Sequence, residues 1–147
     1  MSDHIRQTEP FRWEGIEVRP YKPAGSRFAG VTRQVLFEGG DGLACQLRYF
    51  EIAPGGWSSL ERHHHAHAVV IIRGGGRVLI GKHIAAVAVN DLIRVPSRTW
   101  HQFRAAEDAP LGFLCLVDCE RDVPERPDDA ALAELRQDPA VAEFLRA

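Results

Sequence analysis

Between residues 16 and 119 the chain never runs far without a turn signal. Short apolar or alternating runs cover 16–21, 28–37, 43–53, 57–63, 67–73, 77–82, 84–89, 91–95, 100–105 and 111–119. Glu38-Gly39-Gly40-Asp41-Gly42, Pro54-Gly55-Gly56, Gly74-Gly75-Gly76, Asn90-Asp91, Pro96-Ser97 and Glu107-Asp108-Ala109-Pro110 separate them. Many short strands punctuated this closely fold as an all-β sandwich or barrel. No helix-length periodic segment lies between them, which excludes alternating βαβ units. Gly74-Gly75-Gly76 lacks the lysine and the strand-to-helix setting of a phosphate loop, and reads as a tight turn.

The two ends differ from this middle. Residues 1–15 are polar, with Phe11 and Trp13 as anchors, and read as an N-terminal arm. Residues 16–120 form the barrel, and 121–147 a short helical tail. In the tail, Asp128 or Asp129 caps a helix reaching Gln137, and Asp138 before Pro139 opens a second. Ala131, Leu132 and Leu135, then Val141, Phe144 and Leu145, give each helix one apolar stripe.

With 147 residues, 45% hydrophobic and 26% charged, the chain has the composition of one folded domain. A net charge of -2 gives no footprint for nucleic acid. No apolar run approaches the ~18 residues of a membrane span, and the first ten residues hold no secretory apolar core, so a cytoplasmic address is expected. Cys45, Cys115 and Cys119, odd in number and without CxxC spacing, read as reduced thiols, with Cys115 and Cys119 as small buried hydrophobes.

Four of the seven histidines fall within five positions, as His63, His64, His65 and His67. His101 lies on a later strand, and Glu61 stands two before His63. Imidazoles with a carboxylate are a ligand set for a first-row divalent metal. Residues two apart on a strand share a face, roughly 6.6 Å from each other, so Glu61 and His63 can converge on one ion. On one straight strand Glu61 and His67 would be roughly 20 Å apart, too far to share a metal held at ~2 Å. The chain must therefore turn at 64–66 to return His67 on a partner strand, with His101 entering from the other sheet. An alternative takes His63 and His65 as the pair, with His67 near. A histidine-rich surface hairpin without a site is the plain alternative to both.

The pattern resembles the small single-domain cupins. Their first motif has a glycine, a spacer, two histidines one residue apart, a carboxylate or histidine further on, and a glycine. Here stand Pro54-Gly55-Gly56, Glu61-Arg62-His63, His67, Val69-Val70-Ile71-Ile72 and Gly74. Their second has a glycine, a proline six later and a histidine five beyond that; here stand Asn90-Asp91, Pro96 and His101. The resemblance covers about residues 45–119, with a short stretch, 75–89, between the motifs. Glu61 replaces the usual first histidine, His67 the usual glutamate, Asn90 the turn glycine, and Arg98 a later glycine of the second motif.

The resemblance implies a double-stranded β-helix, or jelly roll, holding one divalent transition metal (Fe, Mn, Ni, Co or Zn) on Glu61, His63, His67 and His101. Val69, Ile71 and Phe103 share parity with the ligands and are expected to line the cup; Trp57 and Trp100 are candidates for its mouth, and Arg48, Arg94 and Arg104 for a substrate clamp. It further implies a homodimer and a small-molecule ligand or substrate. A dioxygenase-like oxidoreductase is the favoured activity. The alternatives are an isomerase or decarboxylase, or a cupin that binds or senses a ligand without turnover.

Overall fold

The computed structural model describes residues 3–23 and 27–147. Among these described residues, ten strands are followed by two helices. They are β1 (Gln7–Glu9), β2 (Arg12–Trp13), β3 (Arg19–Pro20), β4 (Ala29–Phe37), β5 (Cys45–Trp57), β6 (His67–Ile80), β7 (His83–Ala88), β8 (Leu92–Val95), β9 (His101–Ala105) and β10 (Leu111–Asp118), then α1 (Asp129–Leu135) and α2 (Pro139–Phe144).

The two longest strands close the barrel. β5 pairs with β10 along Cys45 to Ile52 and reaches β9 at Trp57. β6 pairs with β10 along its first half and with β9 along Gly76 to Ile80. The ring β5–β10–β6–β9 returns on itself, so its members have no open edge. β3 and β4 extend it beside β5; β8 and β7 flank successive halves of β6. Every pairing is antiparallel, as a jelly roll requires.

Two expected turns lie inside strands. Gly74-Gly75-Gly76 sits in the middle of β6, and Pro54-Gly55-Gly56 near the end of β5. The cause is close backbone approach. A Cβ on Gly74 would fall 1.7 Å from the Pro110 carbonyl oxygen, and one on Gly76 would fall 2.0 Å from that of Arg104. Glycine lets β6 bend from one sheet into the other, and the register slips opposite Gly112 and Phe113. Of the run expected at 57–63, Trp57 closes β5, and beyond it only isolated bridges form, Glu61 with His101 and Arg62 with Glu125. Of 16–21, only Arg19 and Pro20 pair.

Inside the barrel Phe50, Ile52, Val69, Ile71, Phe103, Leu111 and Phe113 form one core cluster. Phe113 stacks on Phe103 at 4.6 Å and on Phe50 at 5.6 Å. A second cluster lies outside, where Leu135, Val141, Phe144 and Leu145 cover Leu60 and Leu79. Burying Phe144 fully contributes roughly 2–3 kcal/mol. The helix starts are as expected: Asp128 accepts from Ala131 N–H at 2.8 Å, and Asp138, before Pro139, from Ala140 N–H at 2.9 Å. The N-terminal arm packs on its own barrel, with Phe11 stacked on buried Tyr49 at 5.5 Å and Trp13 at 5.4 Å.

Candidate metal centre

His63, His67 and His101 place one ring nitrogen each within 4.8 Å of one another. His67 opens β6 and His101 opens β9, so two rigid strand ends aim these rings. His63 precedes a bend at His64 and His65. Arg98 pins that bend, donating its N–H to the His63 carbonyl at 2.6 Å. It does so at φ 56, in the left-handed region, where the family's pattern has glycine; Asn90 is likewise at φ 77.

Hydrogen bonds fix the ring states. Nδ1 of His63 lies 2.6 Å from the His65 carbonyl, and Nδ1 of His101 lies 2.9 Å from that of Thr99. A carbonyl only accepts, so both Nδ1 atoms carry the proton and both Nε2 atoms present a lone pair. Nε2 of His63 lies 2.8 Å from Nε2 of His67. Two nitrogens at right angles on one ion at ~2.1 Å sit roughly 3 Å apart, so this pair has the separation of neighbouring ligands. Burial, reinforced by His101, His63 and Arg48, pushes the His67 imidazole far below its ordinary range. Burial lowers His101 to about 4, against the pull of Thr99 and Glu61. A neutral imidazole is the form that ligates a metal, and the three residues, His63 and His101 buried and His67 half-buried, fit a divalent ion.

Glu61 lines the same cavity and pairs backbone to backbone with His101. Its Oε2 accepts from Ser59 at 2.9 Å and from Lys22 Nζ, while Oε1 has no hydrogen-bond partner among the described residues. Burial works to raise its carboxyl, but Lys22, His101 and Ser59 outweigh it and hold it below the usual range. His65 lies flat on His63 at 3.7 Å and bonds Asp122 at 2.9 Å through Nδ1. Cys115, expected as inert packing, sits with Sγ 2.8 Å from His67 Nδ1. Burial raises its thiol despite Arg48.

The cavity measures about 1040 Å³. Val69, Phe103 and Arg48 line it as expected; Ile71 and Trp57 do not. Ile71 shares the face but is wholly buried in the core below, and Trp57 sits at the rim where β5 meets β4 and β9. Arg94 is exposed, Arg104 turns outward to the Phe144 carbonyl, and Trp100 stacks under Arg62. Sequence reasoning missed Tyr21, Lys22 and Arg33, which reach the cavity from the loop after β3 and from β4.

A closed antiparallel barrel with three imidazoles inside one end defines a cupin, and the chain belongs to the cupin superfamily. The cupin domain family matches residues 48–117. The chain is 54% identical over 136 residues to the 1-methylthio-D-xylulose 5-phosphate methylsulfurylase of Rhodospirillum rubrum, covering 92% of this chain and 86% of that one. It is similar to the crystal structure of a cupin 2 conserved barrel domain protein from Rhodopseudomonas palustris, with TM-score 0.92, 50% identity, and 98% and 99% of the two chains covered. A cupin-2 domain structure from Rhodospirillum rubrum gives TM-score 0.86 and 51% identity over 96% and 94%. Among the described residues, no helix is long and apolar enough to cross a membrane.

Proposed function

We propose that this chain is a metal-dependent cupin enzyme acting on a phosphorylated, methylthio-bearing ketopentose, and that it transfers the methylthio group to a small thiol: the sugar's carbon–sulfur bond breaks, a sulfur–sulfur bond to the thiol forms, and the carbon takes up the proton the thiol gives up. The observation that carries the reading is the convergence of His63, His67 and His101 on one point of a large cavity. The 54% identity to a methylsulfurylase supplies the substrate class.

His63, His67 and His101 would hold the ion; Glu61 lines the same cavity but stands outside their 4.8 Å group, and its carboxylate would complete the set only by turning toward them. A divalent first-row ion held there supplies a Lewis-acidic centre for a substrate oxygen. Lys22 and Ser59 keep Glu61 ionised. Phe50, Phe103 and Phe113 form an apolar wall suited to a thioether and exclude water from it. The homodimer expected from the resemblance belongs to the same proposal; light scattering at twice 16.4 kDa supports it, and a monomer removes it.

The test incubates protein loaded in turn with Fe, Mn, Ni, Co and Zn with 1-methylthio-D-xylulose 5-phosphate and a small thiol as sulfur acceptor. Mass spectrometry is expected to show a phosphorylated product without the methylthio group. An oxygen electrode run alongside separates the dioxygenase-like alternative, which consumes oxygen. No conversion by any metal-loaded form overturns the proposal.

A further inference from the structure

The cavity carries more positive charge than its own acids balance. Arg19, Lys22, Arg33 and Arg48 line it, against the carboxylates of Glu17 and Glu61. Glu17 lies on Arg19 at 3.5 Å, and Glu61 takes Lys22. Arg33 and Arg48 are left with no carboxylate partner among the described residues. The Nε atoms of both are buried and make no hydrogen bond.

Arg48 is only 8% exposed. Its guanidinium lies 4.9 Å from the Phe50 ring, and Nη2 donates to Cys115 Sγ at 3.5 Å. These contacts orient the group without neutralising it. A buried, uncompensated guanidinium is costly, and the half-buried Arg33 shares its cavity.

Strand register brings the arginines together. Arg33 on β4 stands directly opposite Arg19 on β3, and on its other side opposite Phe50 on β5. Arg48 is two residues from Phe50, on the same face of β5, and so is the diagonal neighbour of Arg33. Like charges opposite one another destabilise a sheet unless an anion lies between them. Burial, with Arg48, Arg19 and Arg121, lowers Arg33 from its ordinary value, and no acid offsets the lowering.

We infer that Arg33 and Arg48 form a subsite for a phosphate monoester dianion, with Arg19 at its outer edge. Two guanidinium forks match the charge and the oxygen geometry of that group. Arg48 also bears electrostatically on His67, so the subsite and the imidazoles face one cavity. A sugar phosphate held by its ester group would then present its other end to the metal centre. The inference deepens the proposed substrate class and rests on it for the identity of the sugar, but not for the anion.

Calorimetry on the metal-loaded protein tests it, with inorganic phosphate, D-xylulose 5-phosphate and D-xylulose as probes. The phosphorylated sugar is expected to bind at least tenfold tighter than D-xylulose, with inorganic phosphate competing. R33Q is expected to lose at least tenfold in affinity for the phosphorylated sugar and to leave D-xylulose unchanged. R48Q is expected to lose affinity likewise; should it not fold, R48K, which keeps the buried charge, is expected to lose affinity through its lost fork. Equal binding of both sugars by the parent, or an unchanged affinity in folded R33Q, overturns the subsite. Tight phosphate-dependent binding without turnover of the methylthio sugar keeps the subsite and sinks the proposed reaction. Turnover with a KM indifferent to R33Q does the reverse.

Discussion

His63 and His67 face each other Nε2 to Nε2 at 2.8 Å with only three residues between them. The bend that allows this is held from the C-terminal tail. Asp122 accepts the backbone N–H of His64 at 2.8 Å and of His65 at 3.2 Å, and bonds the His65 ring. His65 in turn lies flat on His63 and accepts its Nδ1 proton.

Asp122→Ala should therefore weaken metal binding while leaving all three imidazoles in place. Partners that orient metal ligands carry roughly 10–100-fold in affinity, and about tenfold is expected here. Titration against a competing chelator measures it. Unchanged affinity would show that the bend holds itself.

Metal-free protein should lose stability as the pH falls through the weakly acidic range. His101 protonates near 6.5 in the unfolded chain but only at about 4 when buried. Its contribution is complete above the unfolded value and disappears as the pH drops toward the folded one, about 3 kcal/mol at most. Glu61, shifted downward, adds a loss at lower pH, beginning below its ordinary 4.5. Urea unfolding at about pH 7.5 and about pH 5 checks the sign; equal stability at the two would contradict it.

Gly74→Ala should destabilise the barrel by roughly 3 kcal/mol or more. The position combines φ 64 with a carbonyl where the methyl would go. A urea midpoint matching the parent's would mean that β6 can bend without glycine there.

Glu61→Gln tests the carboxylate as a ligand. Metal affinity is expected to fall about tenfold, less than on loss of any of the three imidazoles. If the metal is held as tightly as in the parent, Glu61 serves only Lys22 and Ser59.

Much of this was legible in the residues. Alternation and turn chemistry define most strands, and the two-residue period at Glu61 and His63 together with the forced turn before His67 outlines the centre. Glycine misleads because one residue type serves both a reversal and a close approach, and only the neighbouring Pro110 and Arg104 carbonyls separate the two at Gly74 and Gly76. Parity gives a side chain's face but not its depth, hence Ile71 in the core beneath the cavity. Lys22 and Arg33 are invisible as site residues because no local period links them to the histidines. They join the cavity through the loop after β3 and through β4, placed beside β5 when the barrel forms.

Metal content decides whether the three imidazoles act as one centre. Protein purified without an affinity tag is dialysed against each divalent ion and assayed by elemental analysis, beside His63→Ala, His67→Ala and His101→Ala. The expected result is close to one ion per parent chain and a severe loss in each variant. Equal metal in the parent and all three folded variants would contradict the centre described here.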